Sequence, residues 1–145
     1  MASAAIWSKY SVLSRGNADG PPETFTKIDE VMDVTCPTNQ TELIDVSNFD
    51  SPGPFKEWLP TFLDAGELKA SLNYVSGNAT QEQLIADQID QSLHNFTVEF
   101  KDAAGSVLAT MSFAAYVTGF AITANLKEQR KASLTLRVTG AVTIA

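Results

Sequence analysis

The segment ELKASLNY, residues 67–74, alternates apolar and polar side chains along its whole length. Because successive side chains of a β-strand point to opposite faces, this pattern predicts a strand with one buried face. The segments NFTVEFK (95–101) and ASLTLRVTG (132–140) alternate in the same way, so antiparallel β-structure is expected to dominate the chain. The apolar positions of the first segment are Leu68, Ala70, Leu72 and Tyr74.

Further strands are expected on both sides of this segment. A turn-rich link joins an N-terminal strand, over about residues 5–13, to a strand over about residues 25–35. A glycine-containing turn at residues 101–106 leads into another strand that begins at Val107. The alternation of that strand slips at Ala114-Ala115, which predicts a bulge there.

One stretch downstream of residue 74 has the period of a helix instead. In NATQEQLIADQIDQSLH, residues 78–94, we expect a helix over about residues 80–93. Thr80 is predicted to cap it, and Gln83, three residues later, completes a capping box. Its apolar stripe, which should pack on the outside of the β core, consists of Ile85, Ile89 and Leu93, with Leu84 beside them.

The stretch upstream, ELIDVSNFDSPGPFKEWLPTFLDAGE (residues 42–67), fits neither period. Its three prolines exclude a helix or a central strand, so a long loop without secondary structure is expected over about residues 44–64. Such a loop is unusual in a compact domain unless it is functional. Three interpretations stay open for its large aromatic side chains: a cover for the domain's own core, a carbohydrate or peptide site, or an interface between copies. These aromatics are Phe49, Phe55, Trp58 and Phe62.

Size and composition limit the class of protein. A chain of 145 residues with 44% hydrophobic content suits one domain, residues 1–145, with its own core. No apolar run approaches the roughly 18 residues of a membrane-spanning helix, and the start shows no signal-peptide pattern. Cys36 is the only cysteine, so an internal disulfide is impossible and a reducing compartment is expected.

Charge is unevenly distributed along the chain. The net charge is −7, and residues 19–67 carry eleven acidic against two basic side chains. An acidic surface repels phosphate, so tight binding of nucleic acid is disfavoured. A short basic stretch follows later, with Lys127, Arg130, Lys131 and Arg137 against Glu128.

The sequence offers little for catalysis. One cysteine and one histidine cannot form a zinc site, and the sequence has no phosphate-binding or nucleophile motif. The acids Asp29 and Glu30 should point to opposite faces of a strand, and Asp87 should lie on the solvated face of the helix. His94 is expected to end the helix in a structural role. We therefore predict no enzyme, and no catalytic, cofactor-binding or metal-binding residue.

Several segments together resemble a known family over nearly the full length. The most specific is DVSNFDSPGPFKEWLPTFLDAGELKASLNY (residues 45–74), and the second is LTLRVTGAVT (residues 134–143). ETFTKIDEVMDVTCP, NFTVEF and ATMSFAAYVTGFAITA occur in the matching order. The chain resembles the major tail tube protein of long-tailed bacteriophages with non-contractile tails.

The resemblance implies a two-sheet antiparallel β-sandwich or half-barrel with one flanking helix. It implies homohexameric rings that stack into a hollow tube around the tape-measure protein and later conduct duplex DNA into the host without tight binding. The expected location is the virion tail, after assembly in the host cytoplasm. Tail-tip and tail-terminator proteins are expected partners, and neither a membrane nor a cofactor is involved.

In this family the loop between the second and third strands stacks one ring on the next, and the 44–64 loop lies there. Opposite charges are expected to meet between rings, where acids of residues 19–67 face the basic stretch of a neighbour. The alternative function is a small β-rich carbohydrate- or peptide-binding module that uses the aromatic loop. The expected self-assembly residues are Asn48, Phe49, Asp50, Phe55, Trp58, Leu59, Phe62, Lys127, Arg130 and Lys131.

Overall fold

The computed structural model describes Ala5, residues 8–17 and residues 23–145. Within these ranges a short 3₁₀ turn, Ser8–Tyr10, precedes nine strands and one α-helix. In chain order the elements are β1 (Ser11–Gly16), β2 (Phe25–Lys27), β3 (Val31–Thr35), β4 (Gln40–Asp45), β5 (Trp58–Asp64), β6 (Glu67–Asn73), α1 (Ala79–Asp90), β7 (Leu93–Lys101), β8 (Val107–Thr123) and β9 (Lys131–Ile144).

Seven strands form one antiparallel sheet in the order β2-β1-β7-β8-β9-β6-β3, and β4 pairs with β5 in a second sheet. β2 and β3 lie at opposite edges of the large sheet, although only residues 28–30 separate them. That connection reaches about 14 Å at most, whereas a flat seven-stranded sheet is about 29 Å wide. The sheet therefore curls back on itself into a half-barrel. The prediction of a mostly β domain with two antiparallel sheets and one helix is confirmed.

The concave side of the curled sheet holds the core. Ile28 is buried at the corner between the two edges, and its N–H donates to the carbonyl of Leu13 at 2.9 Å. Phe96 on β7 stacks on Phe113 on β8, with ring centroids 6.2 Å apart. The alternation predicted for β6 and β9 is confirmed by the buried side chains Leu68, Ala70, Leu72, Leu134, Leu136 and Val138. In β7 the predicted Phe96 and Val98 are buried, but Thr97 between them is buried as well, so the alternation holds only in part.

The helix is present, but its limits differ from the prediction. Asn78, not Thr80, is the N-cap: its side-chain oxygen accepts from the backbone N–H of Thr80 at 3.1 Å and of Gln81 at 3.3 Å. At the other end Gln91 adopts a left-handed conformation with φ 55°, which terminates the helix. His94 therefore lies on β7 and does not end the helix.

No helix in the described ranges is long and apolar enough to cross a membrane.

The buried face of α1 matches the predicted stripe only in part. Gln81, Leu84 and Asp87 are buried, whereas Ile89 is 76% exposed and Leu93 has left the helix. Burial of Gln81 is tolerated because its amide bonds the backbone on both sides, donating to Asn73 O at 2.8 Å and accepting from Val75 N–H at 3.0 Å. Two of the three buried positions of α1, Gln81 and Asp87, are thus occupied by polar side chains with fixed hydrogen-bond partners.

Two expectations near the N-terminus are wrong in their limits. The predicted strand over residues 5–13 is replaced by the 3₁₀ turn and by β1, which begins at Ser11; residues 6 and 7 lie outside the described ranges. The predicted strand over residues 25–35 is two strands, because Glu30 turns the chain with φ 65°. Asp29 and Glu30 therefore lie in a turn, and their carboxylates accept from the amides of Asn78 and Asn73.

The bulge predicted in β8 exists but lies further along the strand. Val117 pairs with Leu136 and Gly119 with Thr135, so Thr118 is the extra residue. Burial continues at every second position through Ala115 and Val117, which shows that the faces do not change at residues 114–115. A second irregularity opposite residues 112–114 involves β9, where Gly140 has φ 81°.

Candidate self-assembly interface

The second sheet is a hairpin, and it stands away from the rest of the subunit. Every residue of β4 is exposed, and so is every residue of β5 except Asp64 at its end. The expectation of a loop without secondary structure is therefore wrong for both flanks. Pro60 pairs opposite Leu43, and this is tolerated because each strand of a two-stranded sheet has an open edge.

Both faces of the hairpin carry exposed apolar side chains. Leu43 and Pro60 are directly opposite each other and so share one face, whereas Ile44 and Leu59 share the other. A hairpin that lies on a core would show one apolar and one polar face. The large exposed apolar side chains are Leu43, Ile44, Val46, Phe49, Phe55, Trp58, Leu59, Phe62 and Leu63.

The connection between β4 and β5, residues 46–57, is ordered by its own polar groups. The side-chain oxygen of Asn48 accepts from the N–H of Asp50 at 2.8 Å. The backbone N–H of Asn48 donates to the hydroxyl of Ser51 at 2.9 Å. Ser51 also donates to the carboxylate of Glu57 at 3.0 Å. The tip therefore has a defined shape while its aromatic rings remain outside.

Two polar contacts of the hairpin flank also shape it. Asp45 accepts from the N–H of Ser47 at 2.9 Å, and hydrogen bonds from Ser47 lower the pKa of the Asp45 carboxyl. The ammonium of Lys56 lies 5.8 Å from the centroid of the Trp58 ring, a cation–π distance. Trp58 thus contacts a neighbour on its own hairpin.

The base of the hairpin is joined to the large sheet. Asp64 accepts from the guanidinium of Arg137 on β9 at 2.6 Å and from the N–H of Gly66 at 2.9 Å. The hydrogen bond from Gly66, followed by that from Arg137, lowers the pKa of the Asp64 carboxyl. Gly66 has φ 80°, and a Cβ atom there would lie 2.9 Å from the carbonyl oxygen of Thr38. Only glycine fits this corner without strain.

The structure places the residues expected from the sequence in two groups. Asn48, Phe49, Asp50 and Phe55 lie in the connection, and all four are exposed. On β5, Trp58 is 51% and Phe62 is 79% exposed, and Leu59 is half exposed. The interpretation in which these aromatics cover the domain's own core is wrong. Sequence reasoning missed Leu43, Ile44 and Leu63. The signal for them was the presence of apolar residues in both flanks of the segment, which pair with each other as β4 and β5 in the structure.

The second group, Lys127, Arg130 and Lys131, lies in and just after the exposed turn between β8 and β9. Lys131 contacts Glu128 at 3.4 Å, and the pKa of Glu128 is lowered by a hydrogen bond from Asn125 and by Lys131. This turn also carries Leu126, which is fully exposed and which sequence reasoning missed. The structure does not bring the two groups together within one subunit.

The two groups lie at opposite ends of β6. The hairpin base adjoins the first residue of β6, because Glu67 pairs with Arg137, whose partner is Asp64. The basic turn adjoins the last residue, because Asn73 pairs with Lys131. A strand of this length spans about 20 Å. Arg137 lies at the hairpin end of β6 and binds Asp64 there, so the expected basic stretch is reduced to the three cations of the turn and its flank, of which Lys131 contacts Glu128.

Comparison with known proteins decides the family. The model of the lambda phage tail tube protein family matches residues 14–145. The chain belongs to that family. None of the curated proteins matches the chain.

Solved structures agree with the tail tube family in fold. The tail of an empty GTA particle, computed with C6 symmetry, has a TM-score of 0.73 at 15% identity over 97% of this chain and 99% of the other. The PVC sheath-tube complex of a contractile injection system has 0.74 at 16% identity, over 99% and 93%. The SPP1 tail tube has 0.70 at 10% identity, over 97% and 78%. At such identities the likeness concerns the fold alone.

Membership in the tail tube family makes the chain a structural protein of the virion tail and not an enzyme. The titratable cluster in the fold fits a structural role. Asp87 on α1 accepts from the guanidinium of Arg15 on β1 at 2.5 and 2.7 Å, and it contacts His94 on β7 at 3.1 Å. The expectation that Asp87 lies on the solvated face is wrong, because its side chain is only 6% exposed. The cluster ties the helix to the sheet.

Metal binding finds no support in the part of the chain that the structure describes. No group of three or more metal-binding side chains is close enough to hold an ion there. Cys36 is half-buried, and burial raises the pKa of its thiol, which disfavours the thiolate that a metal or a nucleophilic role requires.

Proposed function

We propose that the protein builds homohexameric rings that stack into the hollow tube of the tail, with the β4–β5 hairpin as the contact between rings. The observation that carries this proposal is the hairpin itself, which exposes large apolar side chains on both faces. Monomeric soluble proteins rarely expose contiguous apolar patches of this kind, and such patches mark protein–protein interfaces. In the stacked tube these side chains are buried against the next ring.

The proposed ring follows from the shape and edges of the large sheet. β2 and β3 are edge strands of the half-barrel, with backbone groups that a neighbouring subunit can cover. Copies that contact through two different surfaces close into a ring when the rotation between them fits. The GTA tail of the same fold was computed with six-fold symmetry, which favours six copies.

The lumen is proposed to hold the tape-measure protein first and to conduct duplex DNA afterwards. The net charge of −7 supports a conduit to which DNA does not adhere, because tight binding requires several contacts from basic side chains to phosphates. Tail-tip and tail-terminator proteins are the proposed partners at the two ends, with assembly in the host cytoplasm. Related folds occur in assemblies described as a tube terminator and a tube-terminating cap.

Negative-stain microscopy of the concentrated protein tests the stacked rings directly. We expect hollow tubes with a regular axial repeat and six-fold end views. A strict monomer in light scattering at high concentration, even after tail-tip initiator is added, contradicts the proposal. Saturable binding of a small carbohydrate or peptide without any polymer would support the alternative binding module.

A gel-shift titration tests the proposed DNA conduit separately. Duplex DNA is incubated with micromolar protein at physiological salt, and we expect no shifted band. A salt-sensitive shift would contradict the conduit, because the slope of affinity against salt reports phosphate contacts.

A further inference from the structure

We propose that the tip of the hairpin docks into a hollow beside the basic turn of a subunit in the next ring. This inference rests on the proposed stacking and names the surface that receives the hairpin. The hollow has a volume of about 590 Å³ and is lined by Asn73, Tyr74, Val75, Ser76, Gln129 and Arg130. That volume lies within the ~300–1,000 Å³ typical of ligand pockets.

The hollow lies at the correct end of the subunit. Its walls are the segment after β6 and the turn before β9, joined by a hydrogen bond from the Tyr74 N–H to the Arg130 carbonyl at 2.9 Å. The hairpin leaves from the other end of β6, beside Arg137. Stacked rings bring opposite ends of neighbouring subunits together, so a projecting tip of one ring meets the hollow of the next.

The chemistry of tip and hollow is complementary. The tip presents Phe49, which is fully exposed, beside the carboxylate of Asp50. The hollow offers the half-buried Tyr74 and the exposed Val75 as apolar walls and the guanidinium of Arg130 as a cation. An aromatic ring packed on tyrosine and arginine, with a carboxylate facing the same cation, is typical of an interface anchor.

Charge supports the same pairing. The hairpin and its connection carry Glu42, Asp45, Asp50, Glu57 and Asp64 against Lys56 alone, and of these acids Asp64 is paired with Arg137 at the base. The basic turn and its flank present Lys127, Arg130 and Lys131 against Glu128, on an exposed loop with the apolar Leu126. The carboxylate of Glu30 also approaches the hollow, where it accepts from the Asn73 amide at 3.2 Å. The acidic tip and the basic turn thus carry opposite net charge, which gives the stack a direction because tip-to-tip contacts would bring like charges together.

Another hollow is larger but does not fit this role. It has a volume of about 630 Å³ and lies between the C-terminal part of α1 and β8, with Arg137 in its wall. Arg137 binds Asp64 at the hairpin base, so this hollow lies at the same end as the hairpin of its own subunit. In a head-to-tail stack, the hairpin tip of one ring meets the other end of a subunit in the next ring, which is the end that carries the hollow beside the basic turn.

Cross-linking in assembled tubes tests the contact. Cys36→Ser provides a cysteine-free parent; Pro54→Cys then labels the tip and Ser76→Cys the hollow, and neither change removes an aromatic side chain. The matched control replaces Ser76→Cys with Ala86→Cys on the exposed face of α1. With a short bis-maleimide we expect a ladder of covalent multimers from the first pair and at least tenfold less from the control.

The outcomes separate the inference from the proposed function. Tubes in which Pro54→Cys does not cross-link to Ser76→Cys, or cross-links equally to Ala86→Cys, overturn the docking site and leave stacking intact. A cysteine-free parent that forms no tubes, when the unsubstituted protein forms none either, overturns the stacking and the docking site with it.

A charge exchange tests the ion pair without cysteines. Asp50→Lys and Arg130→Glu should each raise the protein concentration needed for tubes about tenfold or more, because the repulsion recurs at every subunit of a ring. A mixture of the two variants should assemble as alternating rings, since each tip then meets a hollow of opposite charge. If both variants assemble normally alone, or the mixture does not recover, the pairing of Asp50 with Arg130 is wrong.

Discussion

β5 and β6 are strands of seven residues each, separated only by Ala65 and Gly66, and they have opposite environments. β6 buries Leu68, Ala70 and Leu72, whereas β5 leaves Trp58, Leu59, Phe62 and Leu63 exposed. The more hydrophobic of the two strands is thus the one that the subunit does not bury. Because exposed apolar area is unfavourable in water, β5 has the composition of a surface that is completed by another subunit.

The first prediction contrasts two phenylalanines and has the largest expected effect on subunit stability. Phe96 is fully buried against Phe113, so Phe96→Ala should lower the free energy of unfolding by about 3–5 kcal/mol. Phe62→Ala on the hairpin is the matched control and should leave the free energy of unfolding nearly unchanged. Denaturant melts of the two unassembled variants provide the comparison, and equal losses would contradict it.

The second prediction concerns the cluster that ties α1 to the sheet. Asp87→Ala leaves the guanidinium of Arg15 buried without its carboxylate, so we expect a loss of about 3 kcal/mol. Asp90→Ala, three residues later on an exposed position, is the matched control and should change stability little. If both variants melt alike, the cluster does not hold the helix.

The third prediction separates the observed cap of α1 from the predicted one. Asn78→Ala should lower stability by about 1 kcal/mol, because the N–H groups of Thr80 and Gln81 lose their acceptor. Thr80→Ala keeps that acceptor and should cost less. Urea melts of both variants measure the difference, and a larger loss for Thr80→Ala would restore the capping box expected from the sequence.

The alternation of β6 and β9 predicted their buried faces, because one-sided burial shows in the local sequence as an apolar side chain at every second residue. The stripe of α1 could not be predicted in this way. Burial of Asp87 depends on Arg15, which is 72 residues away in the sequence, and burial of Gln81 depends on the backbone around Asn73. Such partners are known only once the sheet has formed.

The candidate interface was partly predictable for a similar reason. Three prolines among four aromatics indicated a special segment, and the order of its motifs indicated the family. The same prolines concealed the strands, because Pro60 is excluded from central strands and permitted in a two-stranded hairpin. Arg137 was expected to face an acid of a neighbouring subunit, whereas the structure places Asp64 of its own subunit beside it.

The fourth prediction, with a smaller effect, concerns the joint between the two regions. The pKa of Asp64 is lowered from its ordinary value of 3.8, so its contribution is complete above that value and is lost as the pH falls through the folded pKa. Hydrogen exchange of hairpin amides should therefore accelerate on acidification, and Arg137→Ala should show part of that increase at neutral pH. Exchange that does not depend on pH, after correction for its intrinsic rate, would contradict a joint held by this carboxylate.

The most direct test of the central claim, that β5 completes its burial in another ring, is Trp58→Ala. Its expected effect on the isolated subunit is small, because Trp58 is 51% exposed and contacts its own hairpin. In the tube an anchor of this kind typically contributes about 2 kcal/mol or more, and the loss recurs in every subunit of every ring.

Thermal melting and electron microscopy are carried out on the same Trp58→Ala preparation. We expect a folded subunit with a melting temperature close to the parent's and no tubes. A large drop in melting temperature would place Trp58 in the subunit's own core. Unaltered tubes together with unaltered melting would contradict the hairpin as the contact between rings.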